Sequence, residues 1–132
     1  MSSTCYCVLL RKASRKVSSL YDDALAPLGI NIAQFSLLRH IRKMAPVSLT
    51  DLGHRLELDR STVGRNTKVL QKMGLVTQLR GADSRETLLE LSPEGTAILI
   101  AASPIWDSIQ EKLEGKLGPE RSEQLHDLLA LL

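Results

Sequence analysis

The hydrophobic period of the chain changes at Gly74 and changes back at Ser92. Before Gly74 apolar residues recur at helical spacing. Leu75 to Arg80 and Arg85 to Leu91 read as two strands around the turn Gly81-Ala82-Asp83-Ser84. After Ser92 the helical pattern returns. Helices on both sides of one short hairpin define a mainly α fold with a small β-hairpin wing.

The helices can be placed from their ends. A first helix spans about Cys7 to Leu25, with Val8, Leu9, Val17, Leu20, Tyr21, Ala24 and Leu25 supplying apolar surface; Pro27 and Gly29 end it. Asn31 and Gln34 form a capping-box pattern ahead of a helix from Ile32 to Met44, which carries Phe35, Leu38 and Ile41 at helical spacing. Ser48 and Asp51 repeat that pattern for a short third helix with Leu49, Leu52 and Leu56. Glu57-Leu58-Asp59 is a tight connection, and Asp59 caps a fourth helix that runs to Met73 and stops at Gly74. Ser92 caps and Pro93 opens a long fifth helix. Pro104 should kink or split it, because proline cannot donate the backbone hydrogen bond. Gly115 and Gly118-Pro119 mark further breaks. A last helix carries Leu125, Leu128, Leu129 and Leu132 on one stripe.

Composition excludes several classes. At 132 residues the chain is expected to form one structural domain. Within it, residues 1–30 supply an amino-terminal helix, 31–92 a helix-turn-helix with its hairpin, and 93–132 the carboxyl-terminal helices. An apolar fraction of 43% argues against disorder, and 3% aromatics argue against stacking on single strands. No apolar run is long enough for a membrane span, and no signal-peptide pattern opens the chain. Two cysteines, Cys5 and Cys7, do not make a disulfide framework, so a cytoplasmic setting is expected. His40, His54 and His126 fall on three helices without ligand-like spacing, so neither a metal site nor a cofactor is expected.

Charge is segregated although the net charge is only +2. Arg11, Lys12, Arg15 and Lys16 cluster without an acid, and Arg60, Arg65, Lys68 and Lys72 face the single acid Asp59. The segment from 107 to 127 is acidic. A basic middle and an acidic end suggest a polyanion face and a second face with another task.

The fourth helix carries the sharpest signal. With Val63 at zero and about 100° per residue, Leu70 and Thr67 lie near 340° and 40°, while Ser61, Arg65, Lys68 and Lys72 fall between about 140° and 200°. A hydroxyl and three cations thus oppose the apolar side. That stripe suits a helix in the major groove: arginine pairs bidentately with guanine, serine donates to bases or phosphate, and lysines neutralise phosphate. Thr62 and Asn66 flank it. The alternative is a solvated face. Against that, Arg80, Asp83 and Arg85 make a cationic hairpin tip suited to the minor groove, with Asp83 orienting an arginine.

The runs Leu49-Thr-Asp-Leu-Gly-His-Arg-Leu, Asp59-Arg-Ser-Thr-Val-Gly-Arg and Leu70-Gln-Lys-Met-Gly-Leu-Val, then Asp83-Ser-Arg and Leu91-Ser-Pro-Glu-Gly, resemble the MarR (multiple antibiotic resistance regulator) family of bacterial transcription factors. Leu25-Ala-Pro-Leu-Gly-Ile and Gln34-Phe resemble its first inter-helix segment. The resemblance implies a winged helix-turn-helix flanked by amino- and carboxyl-terminal dimerisation helices. It implies a homodimer held by the first, fifth and sixth helices on a pseudo-palindrome in double-stranded DNA. Ser61, Thr62 and Arg65 would then read the major groove, and Asp83 and Arg85 would form the wing contact. It also implies release by a small, often anionic aromatic ligand in a cleft near the first helix, or by thiol oxidation. The leucine stripe of the last helix, which a small monomer would struggle to cover, supports the dimer independently.

Two sensing readings stay open. Arg11 and Arg15 stand near that cleft, where Arg15 could pair with a carboxylate; otherwise both are surface cations. Cys7 lies near a helix amino end with Arg11 one turn on, and both features favour thiolate. Cys5 and Cys7 then sense oxidant or take a soft metal; otherwise one packs as a small apolar residue and the other sits in a frayed terminus. The leading function is a DNA-binding repressor without catalysis. The competing class is a thiol redox enzyme or soft-metal protein using Cys5 and Cys7, against which stands the absence of Cys-x-x-Cys. A winged-helix protein-interaction module is the third.

Overall fold

A computed structural model describes residues 3–81 and 86–132. The elements are α1 (Tyr6–Leu25), a 3-10 turn (Ala26–Leu28), α2 (Ile32–Met44), β1 (Val47–Ser48), α3 (Leu49–Leu56), α4 (Arg60–Lys72), β2 (Val76–Arg80), β3 (Thr87–Leu91), α5 (Pro93–Leu117) and α6 (Pro119–Ala130). The expected caps form. Asn31 accepts from the Gln34 amide while the Gln34 side chain accepts from the Asn31 amide, both at 2.9 Å. Ser48 accepts from Asp51 at 3.1 Å. Gly29 and Gly74 take positive φ, the left-handed conformation that ends a helix at no Cβ cost.

The hairpin is a sheet of three strands in the order β1-β3-β2, all antiparallel. Val76 pairs with Leu91 and Arg80 with Thr87, while Val47 of β1 pairs with Leu89. The sequence reading missed β1. The two residues Val47 and Ser48 are too few for an alternating pattern, and only the neighbouring β3 makes them a strand.

The expected split at Pro104 and the break at Gly115 do not occur. α5 runs unbroken through Pro104 and Gly115 to Leu117, and only Gly118, at φ 80°, ends it. Proline at 104 denies a hydrogen bond to the carbonyl of Ile100, but Ile100 is 57% exposed, so water is at hand to replace it. Gly115 carries a cost in propensity alone, which a 25-residue helix absorbs.

The core gathers around α2. Phe35, Leu38 and Ile41 meet Leu25 from α1, Leu52 from α3, Val63 and Leu70 from α4, Leu89 from β3, and Leu99 and Ala102 from α5. By contrast, residues 3–17 and nearly all of α6 are exposed.

Where α5 starts, it lies directly on the turn that ends α4. Ser92 donates its amide to the Leu75 carbonyl at 3.0 Å and its hydroxyl to the Gly74 carbonyl at 2.6 Å. The Ser92 Oγ also accepts from the Gly95 amide at 3.0 Å. A Cβ added at Gly95 would fall 2.0 Å from the Leu75 carbonyl oxygen, so only glycine fits. Gly95→Ala must therefore displace backbone, and we expect a loss of about 3 kcal/mol; a thermal melt that matches the unsubstituted protein would show the approach is not tight.

Candidate nucleic-acid interface

The helix-turn-helix is α3, the turn and α4. Glu57 ends α3 in the left-handed conformation at φ 55°. Asp59 then starts α4: one carboxylate oxygen accepts from the Thr62 amide and from the Ser61 hydroxyl, both at 2.7 Å. These two bonds, the backbone one first, hold the Asp59 carboxyl down at about 2.

α4 has the two faces expected of it. Val63, Thr67 and Leu70 are at most 2% exposed. Ser61, Arg65, Lys68 and Lys72 are exposed on the opposite side. Asn66 is exposed on one flank and Thr62 is half-buried. The Arg65 guanidinium reaches back to the Thr62 hydroxyl at 3.4 Å, so its fork still points to solvent with donors to spare. Ser61 gives its hydroxyl proton to Asp59, so in this state its oxygen is an acceptor only.

Arg80 is exposed at the far end of β2, where Gly81 donates to the Glu86 carbonyl at 3.1 Å and closes the base of the hairpin. Asp83 and Arg85 lie outside the described residues. The structure therefore brings Ser61, Thr62, Arg65, Asn66, Lys68 and Lys72 onto one helix, with Arg80 on the adjoining sheet.

A second feature lies apart from this face. A cavity of about 390 Å³ opens between α1, α2, α3 and α5. Phe35 and Trp106 stack with ring centroids 6.0 Å apart, and the Arg39 guanidinium stands 4.5 Å over the Trp106 ring. Lys43, Arg55, His40 and Tyr21 also line the cavity. The His40 Nδ1 lies 2.7 Å from the Ser36 carbonyl. Because a carbonyl only accepts, Nδ1 carries the proton and a neutral ring offers Nε2 as acceptor. Tyr21 donates to the Gln110 side chain, and burial followed by the nearby Glu114 charge pushes its hydroxyl up.

Arg39, Lys43 and Arg55 were not singled out from sequence. The basic run Arg39-His40-Arg42-Lys43 was visible, but its pairing with Trp106 on a distant helix was not. Arg11 and Arg15 are exposed and do not line this cavity. Cys5 caps α1 and Cys7 lies in its first turn; both are free and exposed. No group of three metal-ligating side chains occurs among the described residues, nor is any helix there long and apolar enough to cross a membrane.

The MarR family model matches residues 28–86, which span α2, the helix-turn-helix and the first strand of the hairpin. In Mycobacterium tuberculosis, the transcriptional regulator MosR in complex with DNA is 33% identical, with a TM-score of 0.82 over 95% of this chain and 93% of that one. The chain belongs to the MarR family. A MarR mutant from Escherichia coli complexed with operator DNA is 27% identical, with a TM-score of 0.86 over 92% of this chain and 89% of that one. The Bacillus subtilis regulator YwoH is 28% identical over 85 residues, 64% of this chain and 62% of its own length. This MarR-family protein is accordingly a transcriptional regulator with a winged-helix fold.

The Asp59 cap generates a pH prediction. Its folded-state pKa of about 2 lies below the ordinary 3.8, so its contribution is complete above the ordinary value and lost as pH falls through about 2. The melting-temperature gap between the protein and its Asp59→Ala variant should be constant near neutrality and close between about pH 4 and pH 2. A gap that does not change over that interval would contradict the cap.

Proposed function

We propose that this regulator is a homodimeric repressor that binds a pseudo-palindromic operator in double-stranded DNA through α4 and the wing. The observation that carries the reading is the exposed stripe Ser61, Arg65, Lys68 and Lys72 directly opposite the buried side of α4. Arg65 reads a base edge, with Ser61, Thr62 and Asn66 around it. Lys68 and Lys72 neutralise phosphate. Arg80, Asp83 and Arg85 serve the wing contact. Ser61 either accepts from a base amino group or leaves Asp59 to donate.

A second copy supports this geometry. Val8, Leu9, Val17 and Leu20 on α1, Leu125, Leu128 and Leu129 on α6, and Leu131 and Leu132 just after it are exposed, too much apolar surface for an isolated chain. A groove of about 460 Å³ between α1 and α5, lined by Leu20, Ile109 and Leu113 with Lys112 and Lys116 against the single acid Asp23, offers a seat for an acidic, leucine-rich helix such as α6 of the partner. Two-fold symmetry then spaces two α4 helices about one DNA turn, roughly 34 Å, apart.

Release falls to the cavity between α1, α2, α3 and α5. Its stacked aromatic wall and the Arg39, Lys43 and Arg55 cations suit a small aromatic carboxylate. Thiol oxidation is the second reading, favoured by the exposure of both cysteines. There Cys5 and Cys7 lose two hydrogens to a hydroperoxide, which leaves as alcohol and water while a disulfide forms.

The test is a DNA titration with a duplex that the protein selects from a random-sequence pool. Arg65→Ala should cost about 1–3 kcal/mol and relax base preference at one position per half-site, while affinity falls steeply with salt. Aromatic carboxylates should release the DNA, and Arg39→Ala should raise the concentration needed. Release by peroxide, reversed by thiol and abolished by replacing both cysteines with serine, would instead favour oxidation. Unchanged affinity of Arg65→Ala would contradict the recognition assignment.

A further inference from the structure

α4 contains a glycine where a helix has no use for one. Gly64 lies in the second turn of α4, its φ is not positive, and a Cβ built there meets nothing within 4 Å. Glycine is the poorest helix former after proline, and neither turn geometry nor packing in the free protein asks for it. Each of the other glycines discussed above has a structural task or sits near a helix end. What remains is an approach from outside the chain.

Gly64 opens onto a groove of about 280 Å³ between α4 and the sheet. Ser61, Arg65 and Lys68 from the exposed stripe stand along one side, and Gln71 and Gln78 line it further in. Leu49, Thr67 and Leu89 also line it, and the last two are buried. Thr67 turns its hydroxyl away to the Gly64 carbonyl at 3.1 Å, so the floor presents little polar surface of its own. A furrow lined by two cations and two side-chain amides, with a missing side chain on its wall, matches a sugar–phosphate strand in charge. It is also continuous with the face already assigned to the major groove.

We infer that the furrow between α4 and β2 seats one sugar–phosphate strand of the duplex, and that Gly64 is a positioning residue whose missing side chain sets how deeply α4 enters the major groove. This rests on the DNA-binding reading above. Glycine is kept at a cost to the free helix because any side chain would hold the strand away from Arg65 and Lys68.

The two sides of that trade can be measured in the same variants. Gly64→Ala and Gly64→Leu add a helix-favouring side chain in open space, so the melting temperature of the free protein should rise by about 2–4 °C. Affinity for the selected duplex should fall on the order of tenfold for alanine and a hundredfold for leucine. Because the contact is to backbone, a random-sequence duplex at low salt should lose affinity in parallel. Arg65→Ala is run alongside. If it weakens binding while Gly64→Leu stays within about twofold of the unsubstituted protein, the strand does not enter the furrow and the inference falls alone. A loss confined to the selected duplex would assign a base contact and overturn the backbone assignment. A fall in melting temperature would show that Gly64 is needed by the fold. If the unsubstituted protein binds neither duplex, the DNA-binding reading fails and this inference with it.

Discussion

The short hydrogen-bonded joint between Ser92, Gly95 and the Gly74-Leu75 turn is what the rest of the structure depends on. α4 ends at that turn and β2 begins there, so the joint fixes the long helix α5 against both DNA-facing elements at once. The Gly95 Cα lies against the Leu75 carbonyl, which leaves no slack for α5 to slide. Everything distal to it follows: β2 fixes the register of β3, Leu89 of β3 enters the core, and β3 holds β1 just before the cap of α3. The joint ties the start of α5 directly to the end of α4.

That rigidity gives the exposed helices their meaning. α1 up to Val17 and nearly all of α6 are exposed, and together with α5 they make the face on which the proposed homodimer is built. The cavity walled by Phe35, Arg39 and Trp106 sits where α2 meets α5, with Arg55 of α3 on its wall. A ligand that parts or draws in Trp106 therefore acts on the same helix whose start is tied to the end of α4. In this account the spacing of two recognition helices is set by the dimer helices, and the cavity lies on the connection between them.

Local features of the fold were legible in the sequence and distant ones were not. Each cap is a nearest-turn event, so Asn31, Ser48, Asp59 and Ser92 could be read from side-chain type and spacing, and all four form. The two-faced character of α4 needs only the helical period, and Val63, Thr67 and Leu70 are buried as that period requires. β1 escaped because its strand character comes from Leu88 and Leu89 across the sheet. Pro104 misled because local propensity was weighed without the packing of Leu99, Ala102 and Ile109, which keep α5 whole. The cavity escaped for the same reason as β1: Arg39 gains its role only when Trp106 arrives beneath it. Gly64 was quoted as part of a motif, yet its interest appears only once the space around its Cα is known.

The most direct test of the account is a hydroxyl-radical footprint of the protein on a duplex selected from a random pool, with the number of chains per duplex measured in the same solution. Two chains per duplex and two equivalent protected patches, related by a two-fold axis and about 10 base pairs apart, are the predicted result. A single protected patch at saturation, or one chain per duplex, would contradict the dimer geometry on which the account rests.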